Sequence, residues 1–233
     1  MLEMLLKGDD QGDYFLHIDP TNQTVGSTQI LDLLGRQTIT NSGEVVVASD
    51  GPFANTKSLK FDSSTGARDY FRVANNKLSN VLTGNFTVEF WFKQTNRNPG
   101  SNVVLLGHWV QSPQQGGFIF WSKNGQLTFG FGPFSGDSDM INGTTSHGLN
   151  TWNHLAATRD GSKFTLWLNG NSIGTATSGA SSGKIIADVT AGVYQNANAG
   201  VPDSISAGFN GNITGVKMYA KYCKYKAAFT PQL

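Results

Sequence analysis

The stretch Asn85-Phe86-Thr87-Val88-Glu89-Phe90-Trp91-Phe92 alternates without a break. Phe86, Val88, Phe90 and Phe92 fall on one face, and Thr87, Glu89 and Trp91 on the other, which is the period of a half-buried β-strand. Toward the C-terminus the same texture recurs in Val103-Val104-Leu105-Leu106-Gly107-His108-Trp109, with loop-forming Gln, Gly and Pro after it. Gly117-Phe118-Ile119-Phe120-Trp121 and Gln126-Leu127-Thr128-Phe129-Gly130-Phe131 flank Asn124-Gly125, and Lys163 to Leu168 meets Ser172 to Thr175 across Asn169-Gly170. Asn-Gly supplies the positive φ of a tight hairpin. Two such hairpins require antiparallel neighbours and exclude a parallel α/β sheet, and helical periodicity is nearly absent.

Toward the N-terminus, Leu31-Asp32-Leu33-Leu34-Gly35, Val45-Val46-Val47 and Lys57-Ser58-Leu59-Lys60-Phe61-Asp62 read as further strands, and Gly211 to Tyr219 as the last. The Gly/Ser/Ala-rich piece from Ser178 to Gly183 resembles a linker, but strands resume at Lys184-Ile185-Ile186, so it reads as a surface loop. The expectation is an all-β, two-sheet antiparallel β-sandwich over residues 1–233, with residues 1–8 an N-terminal arm or an added edge strand.

Seventeen Lys and Arg oppose sixteen Asp and Glu, and charged residues make up 14% of the chain. No basic stripe exists to neutralise a phosphate backbone, so nucleic acid is excluded as a partner. The apolar run Met1 to Leu6 is broken by Glu3 and is too short for a signal core or a membrane span. The expectation is synthesis in a host cytoplasm without an export signal. One cysteine, Cys223, cannot make an intrachain bridge and reads as a half-buried thiol.

The order of motifs resembles the laminin G-like (concanavalin A-like) jelly roll. Leu59-Lys60-Phe61-Asp62, Tyr70-Phe71-Arg72-Val73 and the Phe86 to Phe92 strand are similar to the first half of that family. Trp152-Asn153-His154-Leu155-Ala156-Ala157-Thr158-Arg159 resembles its W-x-H-x-A-x-x-R strand, and Phe209 to Tyr219 its closing strand, with Thr214 and Gly215 where two acidic residues are often found. The tail Tyr222-Cys223-Lys224-Tyr225-Lys226-Ala227-Ala228-Phe229-Thr230-Pro231 is similar to the ending of laminin G-like modules in bacteriophage and cyanophage virion proteins. The resemblance implies a non-enzymatic virion protein, either a capsid decoration (cement) protein or a tail or fibre appendage. Its partners would be other virion proteins, such as the major capsid protein or tail components, in a homo-oligomeric or lattice-bound state. The alternative is a stand-alone carbohydrate-binding module for host surface glycan.

Hydrolysis of a glycan needs two carboxylates facing one cleft. The three glutamates, Glu3, Glu44 and Glu89, have no second carboxylate within five residues on the same strand face. His17, His108, His147 and His154 are scattered and no Gly-x-Ser-x-Gly elbow occurs, so no catalytic residues are expected. His154 reads as a packed sandwich histidine, and His108 and His147 as loop residues. No cofactor is expected beyond a possible calcium ion, for which the resemblance to a calcium-holding family points to Asp137 and Asp139 in a Gly/Ser loop. Asp9, Asp10 and Asp13 form a second acidic group. A sugar needs an exposed ring for its apolar face and amides for its hydroxyls. The candidates are Trp109, Phe134, and Tyr194 with Asn196. Trp91, Trp121, Trp152 and Trp167 sit in strand runs that pack, and a sandwich core absorbs such rings readily.

Overall fold

The computed structural model describes residues 13–63, 69–74, 84–97, 101–110, 115–132, 140–179, 188–193 and 208–233. Among the described residues fifteen strands follow one another: β1 (Asp13–Ile18), β2 (Ile39–Ser42), β3 (Val46–Ala48), β4 (Ser58–Asp62), β5 (Tyr70–Val73), β6 (Phe86–Gln94), β7 (Val103–Val110) and β8 (Gln115–Lys123), then β9 (Gln126–Phe131), β10 (Met140–Ser146), β11 (Asn153–Asp160), β12 (Lys163–Leu168), β13 (Asn171–Thr177), β14 (Val189–Ala191) and β15 (Asn210–Ala220). They build two antiparallel sheets. The first has eight strands in the order β13-β12-β11-β6-β15-β4-β3, with β1 also paired to β15; the second has seven, β10-β9-β8-β7-β14-β5-β2. The all-β two-sheet sandwich expected from the sequence is the observed architecture.

Local chemistry accounts for the turns. Asn124 and Asn169 take positive φ with Gly125 and Gly170 after them, so both Asn-Gly hairpins close as the sequence implies. Leu31 to Gly35 is not a strand. Asp32 turns the chain there by accepting from four backbone amides, those of His17, Leu34, Arg36 and Gln37, at 3.0 to 3.2 Å. Leu31 and Leu33 are left exposed. One open sheet edge is also covered: Gly26 N donates to Val47 O and Val47 N to Ser27 O, so the segment before Leu31 pairs with β3.

The core between the sheets is built from phenylalanine. Phe61, Phe71, Phe86, Phe90, Phe92, Phe118, Phe120, Phe129 and Phe209 are fully buried, and rings meet across the interface, as Phe90 does with Phe120 at 5.3 Å and Phe86 with Phe131 at 5.2 Å. No tryptophan belongs to this cluster. Tryptophan is bulky and carries an N–H that needs a partner, so a tightly interdigitated layer favours the plainer ring. The five tryptophans lie on the outer faces of the two sheets.

Candidate functional site

The outer face of the seven-stranded sheet follows directly from its register. Val104, Trp121, Thr128 and Asn142 lie side by side on β7, β8, β9 and β10. The next outward row runs Thr40, Arg72, Thr190, Gly107, Ile119, Gly130 and Met140 across all seven strands. Irregularities in the β7–β8 pairing at Val104/Leu106 and at His108/Trp109 re-aim the end of β7, which brings Trp109 onto the same face. Val104 and Ile119 form a satellite apolar cluster there, with Trp109, Trp121 and Met140 packed against it and each partly exposed.

Two tryptophans therefore flank Ile119, in a floor where Gly107 and Gly130 carry no side chain and are themselves buried. Gly107 suits the close packing of that floor, since a Cβ there would stand 3.2 Å from Ile119 Cγ1. The Thr128 hydroxyl donates to Asn142 Oδ1 at 2.9 Å, so the amide nitrogen of the exposed Asn142 stands at the β10 end of the Trp121 row. At the far side Arg72 and Asp188 pair at 3.5 Å. Half-exposed rings set beside amide and hydroxyl groups are what a pyranose needs for stacking and hydroxyl recognition.

Of the sequence candidates, Trp109 lies on this face. Phe134, Asp137, Asp139, Tyr194 and Asn196 lie outside the described residues, as do residues 1–8 and Asp9 and Asp10. Trp121 was missed because its strand was read as core. The signal was present, since in Phe118-Ile119-Phe120-Trp121 alternation puts Trp121 opposite the two buried phenylalanines. His108 is a fully buried β7 residue, not a loop residue. His147 follows β10 and is also buried, with Nε2 2.9 Å from Ser122 Oγ and Nδ1 3.0 Å from Gly148 O. That serine–histidine contact is sealed in the interior against Phe92, where no substrate reaches it.

The densest titratable cluster among the described residues lies on the outer face of the eight-stranded sheet and is structural. Glu89 is 2% exposed. Its Oε1 accepts from Tyr219 Oη at 3.1 Å and Lys224 Nζ at 2.9 Å, while Oε2 faces His154 Nε2 at 3.2 Å and accepts from Tyr225 Oη at 2.5 Å. Burial alone would raise the Glu89 pKa, but the His154 hydrogen bond and the Lys224 charge outweigh it and hold the carboxyl well below its usual range. A carboxylate held in its ionised form near neutral pH, with four donors already on it, is poorly placed to deliver a proton or to take a substrate. His154 is thus the packed, hydrogen-bonded histidine that the sequence implied. Among the described residues, no group of three His, Cys, Asp or Glu side chains is placed to hold a metal ion.

Residues 65–223 match the family described as the Concanavalin A-like lectin/glucanases superfamily. No curated protein matches the chain by sequence. Solved structures share the fold. The binding domain of Paraclostridial Mosquitocidal Protein 1 superposes with TM-score 0.65 at 16% identity, over 94% of this chain and 50% of that one. Domain 4 of AbnA, a GH43 extracellular arabinanase from Geobacillus stearothermophilus solved in complex with arabinotriose, gives 0.59 at 18% identity, over 95% and 96%. The binding domain of Botulinum Neurotoxin DC, in complex with SialylT, gives 0.61 at 16% identity, over 91% and 48%. The chain spans about half the length of the two toxin domains it resembles and nearly all of the arabinanase domain.

Proposed function

The chain belongs to the Concanavalin A-like lectin/glucanases superfamily, and from that membership we propose that it is a non-catalytic glycan-binding module. The observation that carries this reading is the pairing of Trp109 and Trp121 on one outer sheet face, outside the phenylalanine core. Partly exposed aromatic rings offer faces on which the apolar side of a sugar can stack, and here their positions are fixed by the strands beneath. The state of Glu89 supports the non-catalytic part, because this buried glutamate is fully engaged in holding the fold. The arabinotriose in the arabinanase domain supports the ligand class.

A glycan array with the intact protein and with the Trp109→Ala, Trp121→Ala double variant tests this. Binding by the first and loss in the second is expected. An array blank at high protein concentration, or one unchanged in the variant, overturns the reading.

A placement on a phage particle, as a capsid decoration protein or a tail or fibre appendage, is the second part of the proposal. It rests on the resemblance of the segment from Tyr222 to Pro231. In the structure that segment straps the outer face of the eight-stranded sheet, with Lys224 N on Thr87 Oγ1 and Phe229 N on Gly170 O. Mass spectrometry of purified particles separates the two settings. Hundreds of copies would mean a lattice-bound decoration protein and a few dozen an appendage. Absence from particles would leave a free glycan-binding module.

A further inference from the structure

The outer face of the eight-stranded sheet carries a separate aromatic cluster where the closing segment ends. Trp152 is half-buried, and its indole N–H donates to Asp50 Oδ1 at 3.2 Å, which fixes the ring. Lys93 Nζ pairs with Asp50 Oδ2 and lies 5.6 Å from the Trp152 ring centroid. Beside them Trp91 gives its indole N–H to Gln232 O and meets Phe53 edge-on at 5.1 Å. Phe53 is 43% exposed, the one aromatic ring among the exposed large hydrophobics of the described residues.

A loop that only tucked an apolar side chain over Trp91 would bury it. Phe53 is instead presented by a rigid turn. Its N–H donates to Thr56 Oγ1 at 3.0 Å, and the Thr56 hydroxyl donates back to Phe53 O at 2.7 Å. Gly51 lets the turn close, for a Cβ there would stand 2.2 Å from Thr56 Oγ1. The Asp50 carbonyl accepts from the Ser58 hydroxyl at 2.5 Å. A preformed aromatic display of this kind lowers the ordering cost of binding, which is the economy that recognition surfaces use.

We propose that Phe53, Trp152, Asp50 and Lys93 form a second sugar-contact site, for an uncharged sugar unit, resting on the glycan reading of the first face. The rings meet the C–H side of the sugar, Asp50 accepts from hydroxyls and Lys93 donates to them. Because the two charges neutralise each other, the site has no net field with which to select an acidic sugar. It lies on the opposite sheet from Trp109 and Trp121, so one chain engages two glycan strands pointing away from each other.

The test is a titration of the full chain with arabinotriose and with maltotriose, followed through the five tryptophan indole N–H signals in nitrogen-15 spectra. Trp→Phe variants assign the signals. The Trp152 signal is expected to move separately from those of Trp109 and Trp121. Phe53→Ala, which removes a ring that is 43% exposed, is expected to weaken the Trp152 titration about tenfold and to leave the other two unchanged. Movement of Trp109 and Trp121 alone overturns this site and keeps the first, as does a Trp152 titration indifferent to Phe53→Ala. Movement of Trp152 alone overturns the first face and keeps this one, and silence of all five signals overturns both. A sialylated trisaccharide that shifts Trp152 more strongly than maltotriose overturns the uncharged specificity.

Discussion

The Tyr225 hydroxyl donates to Glu89 Oε2 at 2.5 Å, so a residue of the closing segment completes a carboxylate in the middle of the central strand β6. The segment is held over the sheet by more than this bond. Lys224 Nζ reaches Glu89 Oε1, Thr87 Oγ1 donates to Tyr222 O, and the Tyr225 and Phe229 rings stack 3.5 Å apart beside His154 and Trp167. The sandwich core alone does not cover this face. The closing segment excludes water from it and makes an ionic cluster buried.

Breaking that cluster from either side is expected to destabilise the protein unequally. Glu89→Ala removes the acceptor that Lys224, the His154 ring and two tyrosine hydroxyls share, and removal of one member of a buried charged pair costs roughly 3–5 kcal/mol. Tyr225→Phe removes one donor of four and should cost about 1.5–3 kcal/mol. Chemical denaturation midpoints check both. Equal losses would mean that the carboxylate is not the hub.

Acid should weaken the fold in two stages of the same sign. Burial pulls the pKa of His17 and His147 below the ordinary 6.5, so the unfolded chain binds protons there that the folded chain refuses. Their contribution is complete above pH 6.5 and declines as the pH falls through that value. Glu89, held below its ordinary 4.5, adds a second loss that begins as the pH falls through 4.5 and continues below it. Thermal midpoints measured from pH 8 to pH 3 should show both stages, and Glu89→Gln should lack the second. A variant retaining the full second stage would place that linkage elsewhere.

Two glycines with positive φ should respond differently to alanine. Gly161 turns β11 into β12 at φ +60° with open space around a new Cβ, so Gly161→Ala should cost about 1 kcal/mol from backbone conformation alone. Gly170 turns β12 into β13 at φ +80°, but a Cβ there would stand 1.8 Å from Phe229 O. Gly170→Ala must therefore displace the strap as well. Proteolysis at the exposed Lys226 should accelerate in Gly170→Ala and stay unchanged in Gly161→Ala.

How much of this was legible depended on whether a rule of short range decided the matter. Alternation placed Phe86, Val88, Phe90 and Phe92 inside and Trp91 outside, and Asn-Gly placed both hairpins, because each needs only neighbouring residues. Trp121 yields to the same alternation once it is applied to its own strand. Leu31-Asp32-Leu33-Leu34 misleads because its apolar residues suit a strand, while the Asp32 carboxylate bends the chain by collecting amides from up to fifteen residues away. The Glu89 cluster draws its members from β6, β11, β15 and the closing segment, so no local pattern announces it. The Phe53 display was equally hidden, since it depends on a turn closed by Thr56 and on Asp50 meeting Trp152 from 102 residues away.

The placement of the rings gives the last expectation, which separates recognition from folding. Trp109 and Trp121 pack against Val104 and Ile119, on a face away from the sheet interface. Phe90 and Phe120, by contrast, meet at 5.3 Å in the centre of the core with no exposure. Truncating either phenylalanine to alanine leaves a cavity that close-packed neighbours fill poorly and should cost about 3–5 kcal/mol. Truncating either tryptophan removes a partly exposed ring outside the main core and should cost the smaller amount typical of half-buried sites, about 1 kcal/mol. Glycan affinity should follow the opposite order, lost in the tryptophan variants and retained by whatever fraction of the phenylalanine variants stays folded. Paired measurements of thermal midpoint and array binding on the four variants decide it. If the tryptophan variants unfold as readily as the phenylalanine ones, the rings belong to the scaffold, and the sheet face ceases to be a binding surface.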